Sequence, residues 1–273
     1  MTAITGVVIT LDEADNIDAC LASLARVCDE LIVVDSGSRD DTVARAEALG
    51  ARVIHQPYLG DGPQKRVGPQ AASHRWVLSL DADERLTDDA VAAIQALDLD
   101  AGANGENGKN GEHGHDAYAL RRRNFIGSRW IRHCGWYPDY CIRLFDRERC
   151  GFSDSRQHAS VQAQNPKRLD ADLEHYSFAN LAELFGKASG HFSNRAAKIM
   201  YLKGKRANAL SPALHGANAF IRKYVFQRGF LGGLDGVSVA LSAAVNAYLK
   251  YAKLLELQRD AKVREAEDFD RIW

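Results

Sequence analysis

No basic region followed by a long apolar run opens this 273-residue chain, so no secretory signal is expected. The longest nearly uncharged apolar stretch, Val237 to Leu249, is interrupted by Ser238, Ser242 and Asn246. It falls short of the roughly 20 residues that cross a bilayer. The expectation is a protein that faces the cytoplasm and does not span the membrane. No C-x-x-C pair occurs among the five cysteines, Cys20, Cys28, Cys134, Cys141 and Cys150. That odd number without metal spacing argues for reduced thiols and against a zinc site or disulfide framework. No G-x-G-x-x-G follows the first apolar run, where Thr10-Leu11-Asp12-Glu13 stands instead. This excludes the usual pyrophosphate turn of an NAD-dependent oxidoreductase. The Gly-rich loop that a sugar nucleotidyltransferase normally presents there is missing too. Net charge is nearly absent as well, at −1 for the whole chain.

What remains is an ordinary globular composition, 46% hydrophobic and 26% charged, with enough residues for one core plus a smaller appended region. Ile4 to Thr10 is β-branched and almost wholly apolar, as a strand buried on both faces must be. Ile17, Cys20, Leu21 and Leu24 then recur at helical spacing, with Asp15 available as a cap. Strands are predicted at Leu31 to Val34, Arg52 to His55 and Trp76 to Leu80. Short helices alternate with them, one capped by Asp41 and closing at Gly50. Strands alternating with helices predict a doubly wound α/β fold with a mostly parallel sheet. Ala101 to His115, dominated by Gly, Asn and charges, reads as a flexible surface insertion in which His113 and His115 are solvated. Further strands are expected at Tyr118 to Leu120 and Cys141 to Phe145. From Leu181 the pattern is helical, with breaks at Gly204, Ser211-Pro212 and Gly229 to Gly236. The division expected is a domain over 1–180, with its insertion at about 101–116, and a helical region over 181–273.

Ligands of an open parallel sheet bind beyond the carboxyl ends of its strands. Asp12-Glu13, Asp35 and Asp81-Ala82-Asp83 all fall at such ends. Two carboxylates at Asp81 and Asp83 repel a nucleotide diphosphate unless a hard cation intervenes, and Mg2+ or Mn2+ suits oxygen ligands shared with phosphates. The same spacing also suits a solvated acidic turn before the helix near Asp88. The aromatic-rich segment ahead of Asp139 offers rings on which a sugar can stack.

In order, Val7-Val8-Ile9-Thr10-Leu11-Asp12-Glu13, Asn16-Ile17, Val33-Val34-Asp35-Ser36-Gly37-Ser38 with Asp40 and Thr42, and Leu80-Asp81-Ala82-Asp83-Glu84 resemble glycosyltransferase family 2. Arg123-Asn124-Phe125, Gly135-Trp136-Tyr137-Pro138-Asp139, Arg143-Leu144-Phe145, His158 and Lys250-Tyr251 are similar to its lipopolysaccharide core β-1,4-glucosyltransferase subfamily. The resemblance implies a GT-A fold and an inverting single displacement from a UDP-sugar, with glucose as the sugar and a lipid-linked glycan such as the inner core heptose as acceptor. It places Thr10, Glu13 and Asp35 around uracil and ribose, and Asp81 and Asp83 at the diphosphate and metal. Asp139 is the candidate base that takes the acceptor hydroxyl proton. Arg143 and Lys65 are candidates to neutralise phosphate, and His158 is a further candidate metal ligand. Ser36, Arg66 and Ala159 depart from the subfamily pattern, which holds a second acid, an Asn and a Glu there. Those departures leave open a catalytically impaired adaptor on the same fold.

Near-neutrality of the whole chain conceals an imbalance. Gly186 to Leu255 carries eleven Lys and Arg against the single acid Asp235, a net charge of +10. Basic helices interleaved with Phe220, Tyr224, Phe226 and Phe230 fit an anionic membrane surface or the phosphates of a lipopolysaccharide precursor. Nucleic acid is not expected as a partner, since acids crowd the sheet ends and no nucleic-acid module is present. The location expected is the cytoplasmic face of the inner membrane, held peripherally.

Overall fold

The structure is a computed structural model that describes residues 2–100, 114–155 and 159–266. Most of the expected insertion and His158 lie outside the described residues. Strand β1 (Ile4–Thr10) is followed by α1 (Ile17–Leu24), β2 (Glu30–Asp35), α2 (Thr42–Ala48), β3 (Arg52–His55), α3 (Asp61–Ala71), β4 (Trp76–Asp81), β5 (Glu84–Leu86) and α4 (Asp88–Gln95). Then come β6 (Ala117–Ile126), β7 (Arg129–Trp130), β8 (Tyr140–Asp146), β9 (Gly151–Phe152), β10 (Val161–Gln162) and β11 (Pro166–Phe178). Five helices complete the described chain: α5 (Leu181–Lys187), α6 (Ser193–Leu202), α7 (Ser211–Ile221), α8 (Gly233–Arg259) and α9 (Ala261–Ala266).

The fold class is α/β, with the main sheet ordered β3-β2-β1-β4-β8-β6-β11-β5 and β7 paired to β6. Strands β3, β2, β1 and β4 run parallel; β2, β1 and β4 carry the buried apolar runs of such a sheet, and β3 is its more exposed edge. Beyond β4 the sense changes, because β8 enters antiparallel to β4 and β6 antiparallel to β8. The sheet is therefore mixed rather than mostly parallel. Its parallel half sets the register of the strand ends: Thr10 lies opposite Asp35, and Ile9 opposite Asp81.

Helices cover this half through the residues their spacing marked. Ile17, Cys20, Leu21 and Leu24 are all buried and join Val8, Val33, Leu78 and Leu80 in one core. The residue at the α1 N-terminus is Asn16, not Asp15, and its side chain donates to Glu13 Oε2 at 2.8 Å instead of capping the helix. Helix α3 lies close on β1 because Gly68 has no side chain. A Cβ there would stand 2.2 Å from Val7 Cγ1.

At the other end of the parallel strands Glu30 ties three segments together. It accepts from Thr5 Oγ1 at 2.8 Å, from the Ser73 backbone N–H at 2.8 Å and from Arg52 at 3.2 Å. Burial raises its pKa, but these hydrogen bonds outweigh that and lower it from 4.5 to about 2. The sign follows from linkage: a depressed carboxylate stabilises the fold above its unfolded pKa and loses that contribution as pH falls through the folded one. Glu30→Gln should therefore destabilise by about 1–3 kcal/mol at pH 7, the range of hydrogen bonds to a charged group. The gap from wild type should close as pH falls from about 4.5 towards about 2. Denaturant melts at a series of pH values measure it, and a gap constant with pH would refute the assignment.

Two compact units emerge. One comprises residues 1–122 and 139–175, the other 123–138 and 176–273. The excursion 123–138 thus groups with the helices, which a boundary at residue 180 does not anticipate. In the second unit, Ile126, Ile131 and Cys134 pack with Leu184 and Val239. A separate cluster joins Ala197 of α6 to Leu254 and Leu257 of α8.

Helix α8 corrects one expectation. It runs 27 residues, about 40 Å at 1.5 Å per residue, and is long and apolar enough to cross a membrane by length and composition. Ser238, Ser242 and Asn246, which interrupt the apolar stretch in sequence, lie inside the helix. Ser238 turns its hydroxyl onto the Leu234 carbonyl at 2.8 Å, which satisfies the side chain within the helix. The glycine break also ends earlier than expected, with helix resuming at Gly233.

Candidate active site

The first two parallel strands end in loops clamped to each other. Asp35 is 1% exposed and spends its carboxylate on its own turn, accepting from the backbone of Gly37 at 2.9 Å and from Ser38 Oγ at 2.5 Å. His55 Nδ1 lies 3.5 Å from it. Across the gap, the backbone N–H of Asp12 donates to Ser38 Oγ, that of Glu13 to Thr42 Oγ1 and that of Ala14 to Asp40. Ser38, Asp40 and Thr42 therefore hold the loop after β1 in place. Asp12 accepts this shape at a φ of 54°, in the left-handed region that Asp tolerates better than most residues. Thr10, abreast of Asp35, has a buried hydroxyl with no hydrogen-bond partner among the described residues. A buried unsatisfied hydroxyl at a sheet end suits a ligand contact.

The third strand end carries the strongest charges. Asp81 receives Lys65 Nζ at 2.9 Å on Oδ1 and Arg143 Nη2 at 2.8 Å on Oδ2. Arg143 also binds Glu84, which is fully buried. Arg122 Nη1 stands 3.8 Å from Glu84 and grips Oδ2 of Asp139 through Nε at 3.0 Å and Nη2 at 2.6 Å. Lys65 in turn reaches Asp61 at 3.5 Å. The result is a ladder of alternating sign: Asp61, Lys65, Asp81, Arg143, Glu84, Arg122, Asp139. Burial pushes the Asp81 carboxyl up, yet Arg143 and then Lys65 outweigh it and hold it well below the usual carboxylate range. Burial likewise opposes the charge on Lys65, and Asp81 overrides it, so the ammonium pKa is raised. By linkage, the Asp81 charge is retained until strongly acidic pH.

These groups line a cavity of about 460 Å³ shared by Asp61, Lys65, Asp81, Arg122, Tyr140 and Arg143, with Phe152 and Ala159 on its wall. That volume is in the range of small-ligand sites. Arg143 Nε is buried with no partner among the described residues, a donor left over for an anion. Lys65, Asp81 and Arg143, three of the candidate residues, therefore meet at one cavity. Asp139 belongs to the ladder through Arg122. Thr10, Glu13 and Asp35 form the adjoining strand-end cluster. The three departures are accommodated structurally. Ser36 accepts from the buried Gln64 at 3.1 Å, Arg66 pairs with Asp154, and the Ala159 N–H donates to Asp61 at 2.6 Å.

Sequence reasoning missed three members. Glu84 was quoted only as part of a motif, and Arg122 precedes the Arg-Asn-Phe run that drew attention. His175 is the third: its Nε2 stands 3.3 Å from Asp83 Oδ2, because β11 pairs antiparallel to β5 with His175 opposite Glu84. No local signal marks a histidine on an alternating strand. Only the strand pairing finds it. Asp83 and His175 give one oxygen and one nitrogen donor, a set that suits Mn2+ and tolerates Mg2+ when diphosphate supplies further oxygens. Among the described residues no three His, Cys, Asp or Glu side chains converge to enclose a metal alone. A cation here would therefore be shared with the ligand.

In the second unit, the segment 123–138 presents Trp130 with the guanidinium of Arg132 at 4.2 Å and that of Arg123 at 4.9 Å from its ring centre. Tyr137 meets the same ring edge-on at 5.1 Å.

Comparison with known proteins finds several similar chains. An uncharacterised glycosyltransferase of Rickettsia felis is 30% identical over 269 residues, 94% of this chain and 90% of that protein. A lipopolysaccharide core biosynthesis glycosyltransferase, LpsC of Rhizobium meliloti, is 36% identical over 84 residues, 29% of this chain and 31% of that protein. Among solved structures, glucosyl-3-phosphoglycerate synthase from Mycobacterium tuberculosis in complex with Mn2+, UDP-glucose and phosphoglyceric acid is similar at a TM-score of 0.34. It is 27% identical, with 45% of this chain and 44% of that one covered. The pattern of glycosyl transferase family 2 matches residues 5–148, which takes in both clamped loops, Asp81, Asp83 and Arg143. This chain, a transferase, belongs to glycosyl transferase family 2.

Proposed function

We propose that this chain transfers a hexose from a UDP-sugar, with glucose the leading choice, to a lipid-linked glycan by an inverting displacement. The observation that carries the reading is the charge ladder around the 460 Å³ cavity at the ends of the parallel strands. A diphosphate is an anion that needs several positive charges. Lys65 and Arg143 supply two, and Asp81 holds both in place until the ligand arrives. Asp83 and His175, beside Asp81, would hold Mg2+ or Mn2+ together with oxygens of the diphosphate, and the cation would as a Lewis acid stabilise charge on that leaving group. Thr10, Glu13 and Asp35 would receive the nucleoside, with the orphaned Thr10 hydroxyl as donor or acceptor.

Asp139 acts as the base. Both Arg122 contacts go to Oδ2, which leaves Oδ1 to take the acceptor hydroxyl proton as the new bond forms. The acceptor reading draws on the second unit taken by itself. A platform of Trp130 flanked by two guanidiniums suits a sugar ring bearing phosphate or carboxylate. The partial likeness to a lipopolysaccharide core glycosyltransferase supports the same acceptor class. So does the +10 charge of Gly186 to Leu255, which favours an acceptor carried by an anionic membrane.

The test is a panel of nucleotide sugars offered to the purified protein with Mg2+ or Mn2+, scoring donor hydrolysis and transfer of label to lipopolysaccharide precursors. Turnover of a UDP-sugar, strongest with its acceptor, is the expected result. UDP binding without turnover of any donor would overturn it and assign the chain to a non-catalytic adaptor.

A further inference from the structure

We propose that the corner between α7 and α8 inserts into the interfacial layer of an anionic phospholipid bilayer and seats the protein on it. This deepens the membrane-borne acceptor reading above, and rests on it, by naming the element that does the seating.

Val225, Phe226, Phe230, Leu231 and Leu234 are 50%, 77%, 51%, 56% and 75% exposed. Single exposed apolar residues need no explanation, but five large ones within ten positions do. Their exposure does not come from a loose loop. Residues Arg222–Phe226 form a π turn and Gly229–Gly232 a 3-10 turn, with Arg228 and Gly233 both at a φ of 55°. The corner is closed on itself. A Cβ on Gly236 would lie 1.8 Å from the Gly229 carbonyl oxygen, so the two backbones touch. Lys223 Nζ donates to the Cys134 carbonyl at 2.8 Å, and the Cys134 N–H donates to the Gln227 carbonyl at 2.9 Å. A backbone pinned this way presents its apolar side chains outward by construction.

Charge chooses the occupant. Arg222 and Arg228 are exposed within the corner, and Lys203, Lys205 and Arg206 are exposed in the turn before α7. A second copy docking on this face by two-fold symmetry would bring a segment of +10 against another of +10. An anionic surface attracts the same cations and accepts the rings and aliphatic chains at headgroup depth. Spanning by α8 is disfavoured by its far end. Leu254 and Leu257 are buried against α6, and Lys253 is bound to the Ser189 carbonyl and Ser193 Oγ. Crossing a bilayer would strip that packing.

The experiment is co-sedimentation of the full chain with vesicles of phosphatidylglycerol and phosphatidylethanolamine, and with vesicles of phosphatidylcholine, across a salt series. Three proteins are compared: wild type, Phe226→Ser/Phe230→Ser/Leu234→Ser, and Lys203→Gln/Lys205→Gln/Arg206→Gln/Arg222→Gln/Arg228→Gln. Wild type should bind the anionic vesicles and keep a residual fraction at 1 M salt, where the Debye length is ~3 Å. The apolar variant should bind on the order of 10² to 10³-fold more weakly, since each lost side chain removes about a tenfold share. The charge variant should lose its preference for anionic lipid. Undiminished binding by the apolar variant would overturn the proposal. So would a wild-type dimer in lipid-free sedimentation velocity that the apolar variant dissociates, or wild type in native membranes that resists both high salt and alkaline carbonate. UDP-sugar hydrolysis in lipid-free buffer is read in parallel and should be the same in all three proteins. For wild type, hydrolysis without docking refutes this element alone, whereas docking without hydrolysis refutes the transferase reading alone.

Discussion

Replacing Arg143 by methionine should cost the fold about 3–5 kcal/mol, the range for removing one partner of a buried ion pair. Arg143 is 5% exposed and is bound to both Asp81 and the fully buried Glu84. Methionine keeps much of its length and none of its charge, so Glu84 would stay buried after losing its closest cation, with Arg122 3.8 Å away. Glu84 is not free to turn away, because its Oε2 accepts from the Asp81 backbone N–H at 3.1 Å. At roughly 2–4 °C per kcal/mol for a chain of this size, the thermal midpoint should drop by about 10 °C. UDP affinity should fall with it, since the orphaned Arg143 Nε and the cation beside Asp81 vanish together. A second substitution separates the two effects. Arg143→Met/Glu84→Gln removes the stranded charge and should regain much of the stability, yet it should not regain UDP binding. If the double variant binds UDP as well as wild type, Arg143 is a structural ion-pair residue and contributes nothing to the donor.

Asp139→Asn should lower turnover by about 10² to 10⁴, the usual contribution of a positioned base. Asparagine preserves size and can still accept a hydrogen bond from Arg122, so the ladder should survive. It cannot take a proton, so the loss should fall on kcat with UDP affinity nearly unchanged. Arg122→Met is the control. It removes the guanidinium from Oδ2 while leaving the carboxylate, and its effect on kcat should be smaller than that of Asp139→Asn. A near-wild-type kcat in Asp139→Asn would place the base elsewhere.

How much of this was legible before the structure depended on whether the cause was local. Ile4–Thr10, Glu30–Asp35 and Trp76–Asp81 could be read because strands buried on both faces demand uninterrupted apolar runs, and the acids at their ends followed. Asp40 and Thr42 were recognised as part of a motif, but their work was not visible. They clamp the loop after β1 from 26 or more positions away. The mixed sheet was equally hidden, because nothing within Tyr140–Asp146 says that it will lie antiparallel beside Trp76–Asp81. His175 was lost for the same reason: its pairing with Asp83 exists only once β11 lies against β5. At α8 local reading misled, since Ser238, Ser242 and Asn246 cut the apolar stretch below a spanning length in sequence, although the helix runs on through all three. The basic, aromatic character of residues 186–255 was plain from composition. That Phe226 and Leu234 point outward was not, because it follows from the tight Gly229–Gly236 contact.

The measurement that tests the central claim most directly is UDP affinity by titration calorimetry, with Mn2+, with Mg2+ and with a chelator, in wild type and in Asp83→Ala. If donor diphosphate binds at Asp81, Asp83 and His175 through a shared cation, wild-type affinity should rise by about tenfold or more with metal, about 1.4 kcal/mol. The Asp83→Ala protein, still folded by circular dichroism, should stay at the chelator level whatever metal is added. Equal UDP affinity in wild type with metal and with chelator would contradict the account.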